Sequence, residues 1–315
     1  MNYYPVGIPT LCRYEHFYRC VESLRICTHA NKTELVVSID YPSKESHWAG
    51  YNKIVDYVEH LDGFAKITVF KQSHNLGAIE NFKFVEHYIY EHYDAAIFSE
   101  DDNEFSPNFL DYMDKGLELF MDNPKVMSIS GYMYLYQIDR PLLNVFPGYG
   151  YSAWGVGEWK NKRYTYQEQG EKVYLDKILF SWNKSFKLFK LRPTNVNNLL
   201  TMKLYHQSYG DCFRVSEHVL EEKYSLFPRV SKVRNWGHDG SGEHCKVEDG
   251  FAFQVIDKNS IFDYDNEILK QKPINFTPYM QIGLVRRLAI LARYIFFRFT
   301  GKDLLCCYYR KKYRR

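Results

Sequence analysis

Four short apolar runs in the first hundred residues, each followed by a segment of helical period, leave few architectures open to this chain. Tyr4 to Ile8, Leu35 to Ile39, Ala65 to Phe70 and Ala95 to Ser99 have the length and apolar content of buried strands. Between them, Glu15 to Ile26, Tyr51 to Leu61 and Ala78 to Tyr93 have helical spacing, with Phe17, Cys20, Val21 and Leu24 on one face of the first. Alternation of this kind predicts right-handed crossovers and a mostly parallel sheet.

In such a sheet the residues just after the strands gather at one edge, where open α/β sheets bind ligands. Here they are Thr10, Arg13, Asp40, Asn75 and the triplet Glu100-Asp101-Asp102. Three adjacent carboxylates repel one another unless they are solvated or a cation sits among them. Oxygen ligands suit Mg²⁺ or Mn²⁺, above all when substrate phosphates complete the coordination. The other reading is a solvated acidic turn ahead of the helix that Ser106-Pro107 announces.

Beyond the triplet the texture changes. Asn108 to Met121 reads as a helix and Val126 to Ser130 as a strand. An aromatic alternation (Tyr132 to Tyr136) and a Gly/aromatic loop (Val145 to Tyr151) lead to Trp154-Gly155-Val156-Gly157, where the backbone can approach closely beside a large ring. Glu158 is a further carboxylate. Asp176 to Lys190 reads as one helix, another ends near Glu222, and Leu226 to Val233 reads as an edge strand. Gly237 to His244 is too glycine-rich for regular structure and reads as a loop able to close over a ligand. Asp211 stands at a helix start, where an N-cap role is equally legible.

These motifs, in this order over roughly residues 3–250, resemble the GT-A glycosyltransferases, which use nucleotide-sugar donors. The resemblance is carried by Ile8-Pro9-Thr10 with Arg13, Asp40, Asn75-Leu76-Gly77 and Glu100-Asp101-Asp102. It extends to Ser152 to Gly157 and to Asn235 to His244. The triplet followed by Phe105-Ser106-Pro107-Asn108-Phe109 looks like the variant of N-acetylglucosaminyltransferase I-type enzymes. The later stretches look like bacterial sugar transferases of surface-polysaccharide loci.

The resemblance implies roles. Pro9, Thr10 and Arg13 would line the nucleotide pocket, Asp40 would bond the base or ribose, and Asn75 would stand with them on the donor side. Glu100 and Asp101 would contact ribose and donor sugar. Asp102 would bind an Mn²⁺ or Mg²⁺ bridging the diphosphate, with His244 as a further metal or phosphate contact. Trp154 and Gly155 would face the donor sugar and acceptor, and Asp211 would be the base of an inverting reaction. Read alone, Asp40 is as readily a turn acid, Arg13 a solvated helix-start residue, Trp154 a core residue and His244 a surface histidine.

Charge is unevenly placed. Residues 281–315 hold ten Lys/Arg and one acid, net +9, and the chain totals +3, so the rest carries −6. Ile282 to Phe299 is an apolar helix interrupted by Arg286, Arg287, Arg293 and Arg298, too often to span a bilayer. Leu284, Val285, Leu288, Ile295, Phe296 and Phe299 share one broad face. With Arg310 to Arg315 behind it, this pattern predicts an interfacial helix on anionic lipid; packing on its own domain is the competing reading. Nucleic acid is not expected, since no recognised binding fold accompanies the charge. Seven scattered Cys without a CxxC pair predict reduced thiols rather than a disulfide framework or zinc site. No leader-like run precedes the first strand.

The expectation is therefore a GT-A-like α/β domain over 1–278 and a basic amphipathic tail over 279–315. The expected function is a metal-dependent, inverting transfer of a sugar from a nucleoside-diphosphate donor, a UDP-sugar first, to a glycan or lipid-linked acceptor in surface-polysaccharide synthesis. The expected place is the cytoplasmic face of a membrane, peripherally bound. A sugar-phosphate nucleotidyltransferase would share the sheet, but Pro9-Thr10 stands where its Gly-rich turn belongs. A glycan-binding scaffold with a degenerate site is the non-enzymatic alternative.

Overall fold

The computed structural model of the protein describes residues 2–136, 138, 143–207, 209–240, 250–280 and 282–306. The expected alternation is present as β1 (Val6–Thr10), α1 (Tyr14–Arg25), β2 (Glu34–Ile39), α2 (Trp48–Glu59), β3 (Lys66–Lys71), α3 (Ala78–His92) and β4 (Ala95–Phe98). There follow β5 (Asn103–Phe105), α4 (Phe109–Leu119), β6 (Val126–Ser130), β7 (Val145–Gly148) and β8 (Val156–Trp159). A helical layer comes next: α5 (Thr165–Gln169), α6 (Glu171–Leu179), α7 (Trp182–Leu191), α8 (Pro193–Tyr205) and α9 (Gly210–Glu221). The chain closes with β9 (Tyr224–Pro228), β10 (Val233–Asn235) and α10 (Leu284–Thr300).

Eight strands form one sheet in the order β3-β2-β1-β4-β8-β6-β9-β7. β3, β2, β1 and β4 run parallel, β8 is antiparallel to both β4 and β6, β9 is parallel to β6, and β7 is antiparallel to β9. The inner strands β1, β2, β4 and β6 are largely apolar because both their faces are covered, whereas the edge strand β3 (KITVFK) is only half-buried. Leu35, Val37 and Ile39 point into the core shared with α1, where Phe17, Val21 and Leu24 lie. Val36 points the other way, to Val85 and Ile89 of α3. The chain lays down β1, β2 and β3 outward, then returns to place β4 on the far side of β1. That reversal opens a crevice at the carboxyl ends of β1 and β4.

Several elements differ from the sequence reading. Residues 176–190 form parts of two helices, broken where the Ser181 Oγ caps α7 by accepting from the Lys184 N–H at 3.4 Å. Residues 226–233 are not one edge strand. β9 lies between β6 and β7, with its Pro228 at the final paired position opposite Val145. β10 leaves that sheet and pairs antiparallel with β5, setting Asn235 against Asn103. The Gly/aromatic loop contains β7, which forms the sheet edge on that side, opposite β3.

Gly155 allows the turn into β8. Its φ is +64°, and a Cβ there would fall 2.8 Å from Val233 Cγ2 and 2.9 Å from Phe109 Cε2. Its carbonyl accepts the Gly131 N–H at 2.7 Å. Gly155→Ala is expected to cost roughly 2–4 kcal/mol, the left-handed backbone penalty plus overpacking. Denaturant midpoints at unchanged m-value check this, and a loss below about 0.5 kcal/mol would contradict it.

The helix expected at the C-terminus is α10, and it is docked. Ile290, Tyr294 and Phe297 join Leu179, Val196 and Leu199 in a second core. Arg293 is fully buried. Its guanidinium grips Asp303 through Nε at 2.9 Å and Nη2 at 2.8 Å, and Nη1 donates to Asn197 Oδ1 at 2.7 Å and Thr201 Oγ1 at 3.1 Å. Among the described residues no helix is long and apolar enough to cross a membrane.

Candidate active site

The crevice between β1 and β4 is built by short loops that follow the strands. Thr10 ends β1, and its hydroxyl donates to Asp101 Oδ2 at 2.8 Å. Arg13, three residues on, reaches that acid and the next: its Nη2 donates to Asp101 Oδ1 and, at 2.8 Å, to Asp102 Oδ2. Burial works against the Arg13 charge, and Asp101 and Asp102 more than offset it, so its pKa is raised. Enclosure lifts the Asp101 carboxyl above the usual range, opposed by Arg13. Part of the repulsion within the triplet is thus answered by the chain itself.

Asp102 is held from a second side. β10 brings up Asn235, whose Nδ2 donates to Asp102 Oδ1 at 2.6 Å, and the Trp236 N–H donates to the Asp102 carbonyl at 2.9 Å. Gly237 follows, and a Cβ there would fall 2.0 Å from Asp102 Oδ2. A side chain at Gly237 would fill the space that this glycine keeps open beside the carboxylate. Among the described residues each Asp102 carboxylate oxygen accepts one hydrogen bond, from Asn235 and from Arg13, which leaves each a further lone pair. No group of three or more His, Cys, Asp or Glu is assembled for a metal among the described residues. One carboxylate fits Mg²⁺ or Mn²⁺ when phosphates and water supply the remaining positions, the usual way those ions are held. His244 lies outside the described residues.

Asp40 is engaged elsewhere. Its Oδ1 accepts the N–H groups of Tyr41 and Leu76, both at 2.8 Å, and its Oδ2 accepts the Gly77 N–H at 2.9 Å and Asn75 Nδ2 at 3.1 Å. Asn75 also donates to the Tyr41 carbonyl at 2.7 Å. Asp40 and Asn75 therefore fix the loop that leads into α3. Pro9 is half-buried within β1.

Glu100, Trp154 and Asp211, far apart in sequence, line one cavity of about 460 Å³. Tyr132, Tyr134, Tyr136, Tyr151 and Phe251 supply the aromatic part of its remaining wall. Trp154 packs edge-on against Tyr132 at 4.6 Å and Phe251 at 5.3 Å, so one ring serves both core and cavity. Tyr134 donates its hydroxyl to the Tyr151 carbonyl at 2.7 Å, bracing the wall. Glu100 is open to the cavity, yet enclosure by the walls and then the charges of Asp102, Asp211 and Asp101 hold its carboxyl well above the usual range, against Arg13.

Asp211 sits in the first turn of α9 but is not its cap: that place is Tyr209, which makes no capping side-chain bond. Asp211 is open to the cavity that it lines, and its carboxylate has no hydrogen-bond partner among the described residues, though protein encloses it on the other sides. Surrounding protein raises its pKa and Arg214, one turn on, lowers it. The Arg214 guanidinium lies 4.4 Å from the Tyr151 ring and 3.6 Å, through Nε, from Glu158 Oε1. Glu158 lines a separate cavity with Glu86, Tyr90 and Arg163. His218 is buried between Tyr164 and the Gly150 carbonyl, and burial pushes its pKa down to about 3.

Sequence reasoning gave Asn235 and the tyrosine wall no role of their own. The aromatic alternation at 132–136 was the signal for the wall. Asn235 opens one of the motifs of the resemblance, but its contact with Asp102 is not legible locally, because it depends on a three-residue strand pairing with a segment 132 residues away.

The chain matches no protein-family model and no curated protein. It is similar to several solved structures. One is TarS residues 1–349 of S. aureus in complex with UDP: 14% identity, 49% of this chain and 46% of that one, TM-score 0.34. Another is the mannosyltransferase PcManGT of Pyrobaculum calidifontis with GDP-Man and Mn²⁺: 13% identity, 53% and 46%, TM-score 0.38. A third is the glycosyltransferase GlyE of Streptococcus pneumoniae TIGR4: 12% identity, 71% and 44%, TM-score 0.32. In each, less than half of the other chain is matched. Identity this low and scores this far below 0.5 leave the chemistry to the residues themselves, and the GT-A-like α/β arrangement is carried by the strand order and by the acids at its point of reversal.

Proposed function

We propose that the protein is an inverting glycosyltransferase that takes a sugar from a nucleoside-diphosphate donor. The observation that carries this reading is the meeting of Asp211, Glu100 and Trp154 in one cavity, next to acids clamped by Arg13 and Thr10. The diphosphate would lie over Arg13 and Asp102, and the sugar would enter the aromatic cavity. Asp211 takes the proton of an acceptor hydroxyl as its oxygen attacks the anomeric carbon. The bond from that carbon to the diphosphate oxygen breaks, and the diphosphate leaves with the electron pair. Asp102 would hold Mn²⁺ or Mg²⁺, which when bound neutralises charge growing on the diphosphate. Glu100 and Asp101 fit contacts to ribose and sugar hydroxyls, and Asp40 with Asn75 keeps the neighbouring loop in place.

The acceptor in this reading is a glycan or lipid-linked sugar of surface-polysaccharide synthesis, met at the cytoplasmic face of a membrane. The test is a donor panel with Mn²⁺ or Mg²⁺, starting with UDP-GlcNAc and GDP-mannose. Release of nucleoside diphosphate is expected. Release of pyrophosphate would make the protein a nucleotidyltransferase, and no turnover or thermal shift with any donor would make it a scaffold.

A narrower prediction concerns Gly237. Gly237→Ala places a methyl against Asp102 Oδ2, so metal-supported donor binding is expected to weaken by about 10–100-fold, the range for disturbing the surroundings of a ligand. Titrating Mn²⁺ at fixed donor checks it; an unchanged midpoint would mean that the space beside Oδ2 is not used.

A further inference from the structure

We infer that the outward face of α10, together with the aromatic end of α7, is a preformed surface that lies on an anionic lipid bilayer. This deepens the membrane placement made above and is independent of sugar transfer. α10 docks through Ile290, Arg293, Tyr294 and Phe297, which lie on one side of the helix. At 100° per residue the opposite side is an arc from Leu291 through Leu288 to Ala289 that contains no polar residue. In a helix lying on a globular domain the outward side is normally the polar one. Here Val285 is 82%, Phe299 80% and Leu284 71% exposed. Eight of the 24 large apolar side chains exposed among the described residues fall between Leu284 and Leu305. Such a concentration marks an interaction surface.

Two features select lipid over a protein partner. Trp182 and Phe186 of α7 are exposed beside it, with Trp182 reaching the Phe299 ring at 6.2 Å, and an amphipathic indole such as that of Trp182 settles at the headgroup level of a bilayer. By the same spacing Arg298 and Arg287, both half-buried, stand along one border of the apolar arc, exposed Lys302 follows the helix, and Arg310 to Arg315 come next in sequence, whereas Arg286 falls on the docked side. The segment's net +9 against −6 for the rest of the chain complements a negative surface and sets the orientation.

The experiment is co-sedimentation of the full chain with vesicles of phosphatidylcholine containing about a third phosphatidylserine, at low and high salt. Strong binding is expected, weakened by salt within the range set by the Debye length and much reduced on pure phosphatidylcholine. Leu288→Glu with Phe299→Glu, both exposed and outside the donor site, should lower vesicle affinity by at least roughly 30-fold while nucleoside-diphosphate release and melting temperature stay as in the wild type. In the unmodified chain, brominated lipid should quench tryptophan emission, and Trp182→Phe should remove most of that quenching. Equal vesicle binding by the double variant, or no quenching, would overturn the inference. So would a wild-type dimer without lipid that the double variant abolishes, because the face would then join two copies. Absence of donor turnover in all forms, with vesicle binding intact, would sink the transferase reading alone.

Discussion

Asp211→Asn is expected to lower kcat by about 10²–10⁴-fold, the share a positioned general base supplies, with donor affinity unchanged. The substitution keeps the shape of the first turn of α9 and removes only the proton acceptor. No described residue bonds the Asp211 carboxylate, so little packing is lost. The pH profile carries a second signature. Enclosure raises the Asp211 pKa, so the acid limb of kcat should lie above the ordinary aspartate value of about 3.9. Rate is lost as pH falls through that raised pKa, because a protonated carboxyl accepts no proton. A variant that transfers at the wild-type rate would remove Asp211 from the mechanism and leave Glu100 as the remaining carboxylate of the cavity. Glu158 is no substitute, since it faces another cavity.

Asp102→Asn is expected to cut metal-supported turnover by about 10³-fold, equivalent to roughly 4 kcal/mol of charge stabilisation on the departing diphosphate. The fold should survive. An asparagine can still accept from Asn235, and Arg13 keeps Asp101, so a stability loss of only about 1–2 kcal/mol is expected for the disturbed Arg13 contact. Nucleoside-diphosphate release against Mn²⁺ concentration, beside a thermal melt, separates the two effects. Wild-type turnover at limiting Mn²⁺ would show that Asp102 is not the ligand.

What the sequence made legible was local. The strand runs and their helices are visible because the inner strands bury two faces and each helix one stripe, and the apolar pattern reports that directly. The order of motifs after the strands follows from the same alternation, which is why Thr10, Arg13 and the acidic triplet meet. Asp40 was harder: its oxygens are taken by N–H groups of Leu76 and Gly77, a contact set by how β2 and the loop before α3 sit together. The pairing of β5 with β10 joins three-residue strands, too short for any pattern. Periodicity separated an apolar from an arginine-bearing face of α10 but not which one packs inward. Burying Arg293 is tolerable only because Asp303, Asn197 and Thr201 meet it, and Asn197 lies 96 residues away.

The Arg293–Asp303 clasp bears on how any surface engagement of α10 would register. Amphipathic tails commonly meet bilayers as coils and wind into helices there, and the entropy of winding is charged against affinity. α10 is already wound and clamped before it meets anything. Far-ultraviolet circular dichroism should therefore show no gain in helix when vesicles are added. Loosening the clasp, as in Asp303→Asn, should convert the same helix into one that orders on contact, with a rise in ellipticity and a more negative entropy of adsorption.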